Sequence, residues 1–127
     1  SVNPMVEYDT AAQAAAELKI NLNTVDIEGY TLEHVYVVSG LILQLDYTNG
    51  SKDFSVRIAK GTDDISGDYN TYSDVTEVTV NEVSVTLKGD DGQYKLAIWQ
   101  QDGFAYSLSY EPGGSENVFV EMIQSVQ

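Results

Sequence analysis

Hydrophobic positions along this chain follow three spacings in turn. Near the start, Thr10-Ala11-Ala12-Gln13-Ala14-Ala15-Ala16-Glu17-Leu18-Lys19 is a run of strong helix formers behind Asp9. Asp9 predicts an N-cap, because its carboxylate can accept the free amides of a first turn, and Lys19 suits the negative C-terminal end. Ala12, Ala15 and Ala16 give this helix a small face that can pack close to a sheet. A helix of about ten residues is marginal alone, so tertiary contacts must hold it. The preceding stretch, Val2 to Tyr8, reads as extended.

From Tyr30 the spacing becomes two. Leu41, Leu43, Leu45 and Tyr47 alternate with Ile42, Gln44, Asp46 and Thr48, and Phe54, Val56 and Ile58 with Ser55, Arg57 and Ala59. The same alternation returns at Val83, Val85 and Leu87 and at Phe104, Tyr106, Leu108 and Tyr110. Strands with one buried and one wetter face carry this pattern, as antiparallel sheets do. Asn49-Gly50, Asn81-Glu82, Asp91-Gly92 and Asp102-Gly103 punctuate the runs, and such pairs signal tight hairpins. The pattern predicts about seven strands, near 30–38, 41–48, 54–60, 75–80, 83–88, 94–101 and 104–110, in meander order. After Pro112-Gly113-Gly114 the spacing turns helical. Ser115 is placed to cap a helix whose stripe is Val118, Phe119, Met122, Ile123 and Val126. The expected fold is α+β: a curved antiparallel meander with an N-terminal and a C-terminal helix packed on one face, in one domain over residues 1–127.

Composition narrows the function classes. The 127 residues hold 20 acidic and 6 basic side chains, a formal charge of −14. That balance argues against tracking nucleic-acid phosphates, and equally against docking on an anionic membrane. No cysteine is present, which excludes disulfides, thiol catalysis and thiolate metal sites. No apolar run reaches membrane-spanning length, and no direct membrane insertion by this segment is expected.

Candidate chemistry is sparse. The one histidine, His34, lies in a predicted strand beside Glu33 and Tyr36 and lacks the further ligands a zinc site needs. The most unusual segment is the acidic loop Gly61-Thr62-Asp63-Asp64-Ile65-Ser66-Gly67-Asp68-Tyr69-Asn70. Asp63, Asp64, Asp68 and Asn70 place hard oxygens in one loop, the donor type Ca²⁺ takes, although the spacing is not that of an EF-hand. The plainer reading is a solvated loop whose Asp and Asn side chains cap their own turns. Tyr69 and Tyr72 flank it, and loop residues cannot easily bury two such rings. Asp64, Asp68, Tyr69, Asn70 and Tyr72, with Trp99 as a neighbour, form the candidate binding surface.

Asn3-Pro4-Met5-Val6-Glu7-Tyr8, Glu28-Gly29-Tyr30, the loop Asp64-Ile65-Ser66-Gly67-Asp68-Tyr69-Asn70, and Ala97-Ile98-Trp99 followed by Tyr106-Ser107 resemble the bacterial family called domain of unknown function 4367. The resemblance spans nearly the whole chain and is most specific in the loop. Where that family often holds a proline before Gly-Tyr, this chain has Asp26-Ile27-Glu28. The resemblance implies an extracytoplasmic portion of a Gram-positive envelope protein, with the signal or anchor outside this segment and no catalytic residue to transfer.

The expectation is therefore a non-enzymatic interaction or sensing domain whose partner is an envelope protein, a peptide or a glycan. One alternative is a carboxylate-dependent hydrolase of cell-wall sugar or peptide, which requires a cleft with two facing carboxylates or one lined by His34. Another is an adhesion or scaffold module stabilised by Ca²⁺ at Asp63, Asp64, Asp68 and Asn70.

Overall fold

A computed structural model describes residues 4–22 and 26–127. Val2 and Asn3, part of the expected extended start, lie outside the described residues. The elements run β1 (Met5–Tyr8), α1 (Ala11–Leu18), β2 (Thr31–Val38), β3 (Ile42–Thr48), β4 (Asp53–Lys60), β5 (Asp74–Val80), β6 (Val83–Asp90), β7 (Gln93–Gln101), β8 (Phe104–Gly114) and α2 (Glu116–Val126). The fold is α+β, with eight strands instead of about seven, because part of the extended N-terminal stretch pairs with β2.

All eight strands form one antiparallel sheet, ordered β1-β2-β3-β4-β8-β7-β6-β5. Each half is a meander, as the hairpin signals require. The chain does not continue from β4 to an adjacent β5: it crosses to the far edge and returns, so that β8 closes against β4 through Ser55↔Ser109 to Lys60↔Phe104. The two-residue turns Asn81-Glu82, Asp91-Gly92 and Asp102-Gly103 all have positive φ at both positions. That geometry matches the twist of the strands it joins.

Hydrophobic side chains from both halves share one face. Leu45↔Val56, Val56↔Leu108, Leu108↔Ala97 and Ala97↔Leu87 align across the register and are all buried. α1 covers β1 to β3 on this face, and α2 covers β5, β7 and β8. Thr10, not Asp9, caps α1, its hydroxyl accepting from the Gln13 amide. The packed face also differs from the expected Ala12, Ala15 and Ala16: Ala11, Ala14 and Ala15 are buried against the sheet, while Ala12 and Ala16 face outward. Lys19 ends the helix in a left-handed conformation at φ 56°. In α2, Ser115 caps as expected and Phe119, Met122 and Ile123 are buried, with Phe119 edge-on to Tyr94 and Tyr110. No helix among the described residues is long and apolar enough to cross a membrane.

Candidate functional site

β4 and β5 run parallel with three strands between them, so residues 61–73 must travel from one end of the sheet to the other as well as sideways. Four strand spacings and an eight-residue strand length set a diagonal of about 32 Å. Thirteen residues reach about 45 Å when fully extended, which leaves too little slack for a helix of two full turns. The acidic loop is therefore a crossing strap, and its path lies over the sheet face opposite the helices.

Arg57 anchors it. In the register Arg57 faces Gln44 on one side and Ser107 on the other, on the polar face. Its Nε donates to Gln44 Oε1 at 2.9 Å and its Nη1 to the Ile65 carbonyl at 3.2 Å. Gln44 Nε2 and Ser55 Oγ both donate to Asp46 Oδ1. A Cβ on Gly67 would stand 3.0 Å from the Arg57 guanidinium, so the strap passes close where glycine sits at φ 69°. A second tie runs from Gln100 Nε2 to the Thr62 carbonyl at 2.7 Å. Within the strap Ser66 is buried, and on the sheet Ser107 is buried with its hydroxyl unpartnered.

On both sides of Gly67 the strap braces itself. Asp64 Oδ1 accepts from the Ser66 amide, and Asp68 Oδ1 from both the backbone and the side-chain nitrogen of Asn70. Tyr72 donates its hydroxyl to Asp68 Oδ2 at 2.5 Å. Burial pulls the Asp68 carboxyl upward, but the hydrogen bonds from Tyr72 and Asn70, helped by Lys88, outweigh it and hold the group below its usual 3.8. Burial, together with the bond to Asp68, pushes the Tyr72 hydroxyl up to about 12. At the strap's end the Ser73 amide and hydroxyl both donate to Asp90 Oδ1.

Of the candidate surface, Asp64, Asp68, Asn70 and Tyr72 are joined in this bracing, and Tyr69 stands free at 96 % exposure. Trp99 does not join them. It is 2 % exposed and stacks on Tyr106 under the helices, on the opposite face. Strand parity decides this, since Gln100 is the β7 residue that meets the strap. Asp64 Oδ1 and both Asp68 oxygens already accept from the loop's own donors, while Asp63 lines a separate depression with Lys19, Lys60 and Ile65. Among the described residues, no three His, Cys, Asp or Glu side chains converge as a metal site.

His34 lies on the polar face of β2, half-exposed. Its Nδ1 is 2.9 Å from Glu7 Oε2 and its ring stacks on Tyr36. The Glu7 hydrogen bond raises its pKa above 6.5, burial opposes it, and the Glu7, Glu33 and Asp46 charges add to the rise. With Glu33, Asp46, Asp53, Ser55 and Glu111 it lines an open depression of about 370 Å³.

Alternation placed Arg57, Gln44, Asp46 and Ser55 on a wet face but did not reveal that they hold the strap. The available signal was that Arg57, the chain's one arginine, sits at an outward position of a strand. Compared with family models, with curated proteins and with solved structures, the chain matches none. The resemblance to the domain of unknown function 4367 family thus stands on its quoted residues alone.

Proposed function

We propose that this chain is a non-catalytic interaction or sensing domain, and that the strap surface of Asp64, Asp68, Tyr69, Asn70 and Tyr72 meets its partner, an envelope protein, peptide or glycan. Tyr69 carries the reading. A ring left 96 % exposed on a loop braced by its own hydrogen bonds is costly to leave in water and loses little freedom on binding. The extracytoplasmic placement follows from the family resemblance, and protease accessibility on whole cells tests it. Tyr69→Ala is expected to weaken retention by isolated envelope fractions while leaving the melting midpoint unchanged. Equal retention of both proteins would count against the strap as the contact.

A second reading rests on the His34 depression. A half-exposed imidazole tied to Glu7 and ringed by carboxylates is an arrangement that can serve as a general base. As a hydrolase the protein would cleave cell-wall sugar or peptide, and His34→Ala would abolish turnover of muropeptide substrates. Absence of turnover by the parent protein removes this reading.

A further inference from the structure

We propose that β5 is a docking edge for an extended, Lys- or Arg-bearing peptide, which joins the sheet as a ninth strand. The inference concerns a surface separate from the strap contact. β5 is the last strand in the sheet order, and among the described residues its backbone bonds only to β6. Its pairing runs without interruption from Asp74↔Gly89 to Val80↔Val83. Sheet edges are ordinarily guarded by charged side chains, Lys above all, by Pro, by a bulge or by brevity, and the one mid-strand guard here, Glu77, repels only acidic partners. The sequence Asp-Val-Thr-Glu-Val-Thr-Val contains no proline or lysine and spans seven residues, five of them β-branched. The opposite edge, β1, has four residues and runs into α1 two residues later.

Charge selects the occupant. Glu77 is the middle residue of β5, so full-length antiparallel pairing with a second copy would set the two Glu77 side chains directly opposite each other. Like charges in that position are destabilising, and each chain carries −14 besides. Lys88, on the neighbouring strand, sits opposite Val75 and not Glu77, and its charge acts on Asp68. An incoming strand with a basic residue opposite Glu77 and an apolar one opposite Val75, which is 60 % exposed, satisfies both positions on one face. Main-chain hydrogen bonds supply the attachment and this alternation the selectivity.

The test uses two synthetic nonapeptides, Lys-Thr-Val-Thr-Lys-Thr-Val-Thr-Lys, whose central Lys and next same-face Val can meet Glu77 and Val75, and its Glu-for-Lys counterpart, added to the isotope-labelled chain. The Lys peptide is expected to slow amide exchange within residues 74–80 and to leave β1 unaffected, while the Glu peptide does neither. Val75→Lys should remove the protection at no cost in stability, and Glu77→Lys should weaken the Lys peptide roughly tenfold. Tyr69→Ala should bind the peptide normally, which separates this surface from the strap. Protection at β1, indifference to Glu77→Lys, no protection at all, or concentration-dependent dimerisation through residues 74–80 would each overturn the proposal.

Discussion

The two faces of this sheet are closed by different means. One is covered by α1 and α2 and filled with aliphatic and aromatic side chains whose burial does not depend on fine geometry. The other is crossed by thirteen residues of irregular chain, held by a lone guanidinium, an amide and a set of Asp-centred turns. The apolar face draws its stability from area and shape. The strapped face also buries Leu96, Ala59 and Ala105, but the strap itself is fixed by individual donors meeting individual acceptors, so its losses should be local and its sensitivity to pH greater.

That contrast can be probed from its strongest side downward. Phe119→Ala empties a fully buried site between Tyr94 and Tyr110 and should cost about 4 kcal/mol in urea unfolding. Arg57→Met keeps the aliphatic stem but removes both anchoring bonds, at about 1.5 kcal/mol. Limited proteolysis should then cut within 61–73 faster than global unfolding permits. Ser107→Ala removes a buried hydroxyl that has no partner, and should raise stability by up to about 1 kcal/mol. A loss instead would show the hydroxyl to be satisfied in solution.

Tyr72→Phe should cost only about 0.5 kcal/mol at neutral pH, since the brace is partly wet. Its signature is in the pH profile. Asp68 titrates lower in the fold than unfolded, so its contribution is present above 3.8 and is lost as pH falls through the lowered value. Tyr72 titrates higher, so its contribution is present below 10 and fades as pH rises toward about 12. Nuclear magnetic resonance titration of the strap amides should show both limits in the parent chain; Tyr72→Phe should lose the alkaline one and narrow the acid one. The smallest effect is expected from millimolar Ca²⁺, which should leave the melting midpoint in place because Asp64 Oδ1 and both Asp68 oxygens are already engaged within the loop. A rise of about 5 °C would instead mean that the strap reopens around the ion.

What could be read in the sequence divides along the same line. The helix-covered face obeys periodicities of two and 3.6, and strand ends at Thr48, Val80 and Gln101 fell where alternation met turn residues. The pairing of β4 with β8 left no such trace. Hairpin signals report neighbours in sequence, and nothing in the pattern of Phe54, Val56 and Ile58 names Tyr106 and Leu108 as partners. The strap was recognised as unusual because its Asp, Asn and Gly residues fit turns and nothing else. Its place over the polar face was hidden, because that follows from the crossing. The exclusion of Trp99 is the clearest case: adjacent to Gln100 in sequence, it is separated from the strap by the thickness of the sheet.

The β4–β8 seam also bears on how the molecule comes into being. Every other pairing joins strands linked by a short turn or, for β1 and β2, by one helical connection, whereas Lys60 must wait for Phe104 and Ser55 for Ser109. During synthesis the first half can assemble as its hairpins emerge, but β4 stays unpartnered on one side until β8 leaves the ribosome. Closing the seam is the costly long-range step, and chains halted before residue 104 would carry two raw edges able to pair with one another. Translation pausing between the codons of β7 and those of β8 should therefore influence yield more than pausing within the first four strands.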